Sequence, residues 1–265
     1  MTLEVADIEK TIIDEEYSRD ELESNWALVR QLDHSIGAST VLYGTGAGLS
    51  LGLLLMGGWA LFAVLSSLHP IYSHLFQISK LTNIKKVLTN ILEEFKDEND
   101  LKIHGCIEVD NEEPLDLFAI FNKKANFFIS VRSKGKSKLF YDAEKDCFYG
   151  RRKGSGRQKW RSHLSGEMRT YVRWVSKHRQ LFNISSRQVV KVHHARIVVI
   201  CKPTEIADHN DEFYSIINGD EKILTIHKTF FVGEENVTKL IKAFLTNQIE
   251  YPKTIDAKRA SHKND

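Results

Sequence analysis

LDLFAIFNKKANFFISVR, residues 115–132, decides the fold. Two runs rich in branched and aromatic residues, 115–121 and 126–132, flank the turn signal Asn122-Lys123-Lys124 and read as neighbouring antiparallel strands. Residues 102–109 read as a third strand, joined through Asn111-Glu112-Glu113-Pro114, so the stretch predicts a meander.

Upstream, Ile71, Leu75, Ile78, Leu81, Ile84, Leu88, Ile91 and Phe95 recur at intervals of three and four, which predicts a long helix ending near residues 96–100. Downstream, a polar stretch (133–161) holds two short strand candidates, 139–141 and 147–149. Met168, Tyr171, Val175 and Phe182 then follow Leu164 at helical spacing. Residues 196–201 (RIVVIC) form an apolar run bounded by polar residues, as in a buried strand. A strand at 223–226 and a helix at 237–249 complete the pattern. These elements predict an α/β domain over 101–249 with a central mixed sheet flanked by helices and one core. Residues 250–265 read as a disordered tail.

From His34 to Ser79 there is no Asp, Glu, Lys or Arg, and residues 41–66 are almost wholly apolar. At ~1.5 Å per residue, a helix over 41–66 can cross a hydrocarbon core ~30 Å thick. A cleaved signal peptide would begin earlier, behind basic residues. A buried core helix and a re-entrant hairpin turning at Gly57-Gly58 are the alternatives to one span. The expected organisation is an acidic amphipathic arm (1–36), a transmembrane segment (37–70), and a helical stalk with the first domain helix (71–100). Gly44, Gly48 and Gly52 lie on one face of that span, at the spacing that lets membrane helices pack closely on a copy or a partner.

Charge is divided along the chain. Residues 1–33 hold ten acids against Lys10, Arg19 and Arg30, a net of −7. With the whole chain at +2 and residues 34–79 uncharged, residues 80–265 carry +9. Lys80, Lys85 and Lys86 after the apolar run, against Arg30 before it, favour a single pass with a cytosolic C-terminal domain. Cys106, Cys147 and Cys201 are odd in number and far apart, and His193-His194 is the single His pair, so neither a disulfide framework nor a zinc site is indicated.

Helix, three strands, helix, strand, with Leu115-Asp116-Leu117 opening one strand and Phe128-Ile129-Ser130-Val131-Arg132 on the next, resembles the NERD (nuclease-related) domain of the PD-(D/E)xK restriction-endonuclease-like superfamily. The resemblance covers roughly residues 85–248. It implies that Asp116 stands at the first metal-ligand position, Ser130 where the second acid would be, and Arg132 where the lysine would be. Serine is a poor ligand for a hard cation, and arginine cannot give up its proton. The resemblance therefore implies an inactive nuclease fold that needs no cofactor. The alternative is a Mg²⁺-dependent nuclease with displaced residues: Glu93, Glu94, Glu112 or Glu113 as carboxylates and Lys134 for the lysine.

From Lys123 to Arg161 there are thirteen Lys and Arg against three acids. Among them Arg151, Arg152, Lys153, Arg157, Lys159 and Arg161 cluster, with Phe140, Tyr141, Phe148, Tyr149 and Trp160 interleaved. Such a face suits nucleic-acid phosphates or anionic lipid headgroups. The sequence thus predicts a membrane-anchored binding or scaffold module, with assembly of a membrane complex through the glycine-faced helix as a further possibility.

Overall fold

The computed structural model describes residues 23–45, 60–98, 100–110, 112–121, 124–152, 154–160, 163–185 and 192–252, with side chains of the second segment from residue 75 onward. Two helices precede the sheet: α1 over residues 23–45 and α2 over Ala60–Glu94. The meander follows as β1 (Leu101–Ile107), β2 (Leu115–Phe121) and β3 (Ala125–Arg132), within a residue or two of the expected strands. A small sheet comes next, from β4 (Lys138–Asp142), β5 (Cys147–Arg151) and β6 (Arg157–Lys159). Helix α3 (Leu164–Lys177) leads to β7 (His193–Ile200), which lies parallel to β3. The rest is β8 (Glu205–Ile206), β9 (Tyr214–Ile217), β10 (Glu221–Ile226), β11 (Thr229–Gly233), α4 (Val237–Leu245) and β12 (Ile249–Glu250).

The main sheet runs β1-β2-β3-β7-β11-β10-β9-β12, with β3, β7 and β11 parallel and the other pairings antiparallel. The second sheet runs β6-β5-β4-β8. Because side chains alternate across a strand, each face of the main sheet carries its own core. One holds Leu117, Ala119, Ile129 and Val131 against α1, α2 and α4; the other holds Phe118 and Phe128 against α3 and against Phe148 of the small sheet.

Residues 71–100 are not a free stalk. Ile84, Val87, Leu88, Ile91 and Leu92 of α2 are buried in the first core, because the sheet offers an apolar face that the stripe fills. Nor does the chain divide at residue 36, since α1 runs unbroken from 23 to 45. Its early turns dock on the domain: Val29 and Leu32 are buried, and Leu28 lies over Gly105, where an added Cβ would come within 2.9 Å of it. Asn25 donates from Nδ2 to the Leu101 carbonyl at 2.7 Å, and its Oδ1 accepts from the Ile103 N–H at 2.9 Å. Lys85 pairs with Asp33 at 2.5 Å.

These contacts change the expected membrane arrangement. Asp33 and Lys80–Lys85, which flank the charge-free run, sit against one domain, whereas a single crossing would put them on opposite sides of a bilayer. Among the described residues no helix is long and apolar enough to cross a membrane. Much of the expected span 41–66 lies outside the described residues, as do the arm before residue 23 and Gly48 and Gly52. Among the described residues Gly44 has no neighbour within 4 Å of a Cβ position, and Val41 and Leu42 beside it are exposed.

The last helix ends four residues earlier than expected. Thr246 and Gln248 return bonds to the Lys242 and Ala243 carbonyls, Asn247 is left-handed at φ 56°, and Ile249 is released to pair with β9. The expected tail begins in contact, with Pro252 buried and the Tyr251 ring 5.9 Å from that of Phe230; residues 253–265 lie outside the description.

Across the two sheets, the Asp146 carboxylate accepts from Tyr141 Oη at 2.7 Å and meets His227 Nε2 at 2.8 Å. Partial burial works against its charge, but these bonds and the nearby imidazoles hold its pKa down at about 2. A depressed carboxylate stabilises the fold above its ordinary value of 3.8 and loses that contribution as pH falls towards about 2. Asp146→Asn should therefore lower the denaturant midpoint at neutral pH, and the gap to the wild type should close between pH 4 and 2. Replacing Asn25 by Ala leaves two backbone groups of β1 without their partner and should cost about 1–3 kcal/mol. Limited proteolysis should then cut α1 faster than the rest of the domain.

Candidate functional site

Three elements converge at the ends of β2 and β3. Asp116, the second residue of β2, faces the α3 side with its cross-strand neighbours Ser130 and Arg132, because the odd-numbered residues of β3 point into the opposite core. Asp116 is only 2 % exposed. Its Oδ2 accepts from the Val131 N–H at 2.7 Å, from Arg132 Nη1 at 3.1 Å and from Ser130 Oγ at 3.3 Å. Its Oδ1 is held by Lys80 of α2 at 3.1 Å.

Arg132 is buried and surrounded by acids. Nη2 reaches Glu167 of α3 at 3.2 Å and Glu113 at 3.3 Å, besides the Nη1 bond to Asp116. Burial opposes its charge, but Asp116, Glu113 and Glu167 outweigh that cost and raise its pKa above the ordinary guanidinium value. Tyr171 of α3, whose hydroxyl donates to the Glu113 carbonyl at 2.8 Å, steadies the loop before β2. Burial, first, raises its phenol pKa, with Glu167 and Asp116 adding to the rise against the opposing pull of Arg132.

Asp116 and Ser130 are neighbours, as the resemblance implies, yet the chemistry differs from a metal centre. Both Asp116 oxygens are engaged by protein cations and donors, and Glu113 and Glu167 are bound to Arg132. Among the described residues no group of three or more His, Cys, Asp or Glu is placed to hold a metal ion. A divalent ion would have to displace Lys80 or Arg132, so these residues do not fit one in this arrangement. Arg132 holds the carboxylates of Asp116, Glu113 and Glu167.

The displaced residues do not assemble either. Glu94 pairs with Lys242, and Glu93 lines a separate recess with Glu234 and Glu235. Glu112 lies in another recess beside His163 and Glu167. Glu113 alone joins the Asp116 cluster, 3.8 Å from Lys80. Lys134 turns away, with Nζ 3.3 Å from the Lys159 carbonyl and 5.1 Å from the Trp160 ring centroid.

Lys80 and Glu167 escape a motif search, although the periodicity marks both. Lys80 stands four residues before Ile84 on the stripe that continues to Leu88 and Ile91, and Glu167 stands beside Met168 on the buried stripe of α3. A charge on a buried stripe needs a partner, and Asp116 and Arg132 are those partners.

Above the cluster lies a cleft of about 700 Å³. Its lining includes Lys80 from α2, Arg132 and Lys134 from the end of β3, and Arg152, Lys159 and Trp160 from the small sheet. Of the described members of the sequence-defined basic cluster, Arg152 and Lys159 line the cleft, together with Lys80 and Lys134. Arg151 and Arg157 are paired across β5 and β6, with Arg157 over the Phe140 ring at 5.0 Å; Lys153 and Arg161 lie outside the described residues. All three cysteines are free; Cys106 is exposed, whereas burial and Glu234 push the Cys201 thiol up to about 12.

No family model matches the chain, and no match was found among curated proteins or solved structures.

Removing one member of a buried ion pair strands the other, at ~3–5 kcal/mol. Asp116→Ala should destabilise the protein by that order in urea unfolding. The double variant Asp116→Ala/Arg132→Met should lose less than the sum of the two single variants, with Glu167 left without its arginine. Equal stability of Asp116→Ala and the wild type would mean that the cluster contributes nothing to the fold.

Proposed function

We propose that the chain is a membrane-anchored, catalytically inactive module of the nuclease-related type that binds a phosphate-bearing polyanion through the cleft above Arg132. The observation that carries this reading is the state of Asp116: its carboxylate is neutralised by Lys80 and Arg132, and cationic side chains continue upward along the cleft walls. A site so arranged attracts phosphate without positioning a metal or an attacking water. The order α2, β1-β2-β3, α3, β7, with β7 parallel to β3, supports the restriction-endonuclease-like reading.

The anchoring is read as a hairpin. Both flanks of the charge-free run rest on the same domain, so the run enters and leaves the bilayer on one side. Exposed Val41 and Leu42 late in α1, and Leu75 and Phe76 in α2, extend the apolar surface to the described edges of that run.

The anchoring is tested in sealed vesicles. Carbonate should fail to extract the protein. A membrane-impermeant maleimide should label exposed Cys106, and Ser24→Cys in a Cys106→Ser background, from the same side. Labelling from opposite sides would rule out the hairpin.

For the cleft, the full chain in nonionic detergent should bind oligonucleotide or anionic vesicles with an affinity that falls as salt rises. Arg152→Ala/Lys159→Ala should weaken binding and flatten that dependence. With Mg²⁺ or Mn²⁺ the protein should cleave neither DNA nor RNA. Metal-dependent cleavage that is lost in Glu113→Gln would replace this reading with a displaced-ligand nuclease.

A further inference from the structure

We infer that the cleft above Arg132 takes the headgroup of an anionic phospholipid from the leaflet facing the domain. This rests on the polyanion-binding reading and narrows it to one ligand class.

Position is the first argument. One wall of the cleft is α2, contributing Phe76, Ser79, Lys80 and Asn83. Ser79 is the last residue of the charge-free run and Lys80 the first charge after it. Phe76, 61 % exposed, and Leu75, 43 % exposed, lie about one turn before Lys80. An apolar rim thus meets the cations within one helical turn, as a lipid's acyl chains meet its phosphate. Lysines next to a membrane segment are drawn to anionic headgroups.

The second argument is the division of labour among the cations. Lys80 and Arg132 form the floor and are committed to Asp116, Glu113 and Glu167. Among the described residues Glu113 is the one acid lining the cleft, and it already faces those two. On the walls, Arg152 and Lys159 have no acidic partner within salt-bridge distance among the described residues, and Lys134 stands beside them over Trp160. The Ser133 hydroxyl and the Gln158 amide add neutral donors. This set suits a phosphodiester with a small polar substituent, and a volume of about 700 Å³ falls in the range of small-molecule clefts.

The third argument separates lipid from nucleic acid. Single strands are held by a basic groove with open aromatic faces on which bases stack. Here Trp160 is buried with Lys134 over it, Phe148 is buried, and the part-buried Phe140 is engaged by Arg157 at 5.0 Å and by the stacked Tyr149 ring at 5.5 Å. The exposed ring among the described lining residues, Phe76, belongs to the apolar rim on α2 and not to the cationic walls.

The test is calorimetric titration of the full chain in nonionic detergent with four probes: dihexanoyl phosphatidylglycerol, dihexanoyl phosphatidylcholine, inorganic phosphate and a single-stranded oligonucleotide. The expected result is saturable binding of the phosphatidylglycerol, weaker binding of phosphate and none of the phosphatidylcholine. Lys134→Gln/Arg152→Gln/Lys159→Gln should lower affinity for the phosphatidylglycerol by about tenfold or more. Lys145→Gln/Lys177→Gln/Lys228→Gln, with the same change in net charge, should leave it unaltered. Equal binding of the two lipids, or equal loss in both triple variants, would overturn the inference. Oligonucleotide binding through the cleft without phosphatidylglycerol binding would sink the lipid assignment and leave the polyanion reading standing. Failure of every anion to bind would remove both.

Discussion

The carboxylate of Asp116 is the point on which this architecture turns. A buried, 2 %-exposed acid in an α/β core carries a desolvation cost that nearby groups must offset. The chain answers from separate elements: Lys80 from α2, the Val131 N–H, Ser130 and Arg132 from β3. Arg132 then requires further carboxylates, and α3 and the loop before β2 provide Glu167 and Glu113. The register of β2 on β3 and the positions of α2 and α3 are thereby tied to one electrostatic cluster. Buried ion pairs are a weak source of net stability, but they penalise alternatives in which one member loses its partner.

This constraint also shapes the chemistry above it. A carboxylate that has accepted lysine and arginine has little to offer a metal, and a guanidinium committed to three acids is not a mobile donor for a reacting phosphate. The other cations of the cleft lie on its walls, where the small sheet folds over the end of β3. The main sheet fixes the buried cluster and the small sheet carries the cations above it, so those side chains can vary in sequence without disturbing the cluster.

Much of the fold was legible because its signals are local. The meander was readable from 115–132, α3 from its spacing, and β7 from RIVVIC. Other strands were missed where the signal is not carried by the usual residues. β11 (TFFVG) follows β10 through His227-Lys228, both left-handed at φ 49° and 60°, a tight hairpin turn without glycine or asparagine at either position. β12 was hidden inside an apparent helix, since Ile249 keeps the apolar spacing after the backbone has turned at Asn247. For the site, the pairing of Asp116 with Ser130 was implied by the resemblance to the nuclease-related domain, and alternation put Ser130 and Arg132 on one face. Lys80 and Glu167 come from residues 36 positions before and 51 positions after Asp116, and no short motif spans such distances. The basic cluster was defined along the chain, whereas the cleft selects by direction: alternate residues of one hairpin face different ways, and only part of a linear run can share a wall.

Strand β1 is the outer strand of an eight-stranded sheet, and its free side would ordinarily offer unpaired N–H and C=O groups to any passing chain. Asn25 meets the Ile103 N–H and the Leu101 carbonyl with its own carboxamide, reproducing with one side chain the pair of bonds that a neighbouring backbone would make. The side-chain amide acts as a single counterfeit residue of a ninth strand. It terminates the sheet at the place where two copies of the protein would otherwise zip together. The docking of α1 therefore guards the sheet edge as well as extending the core.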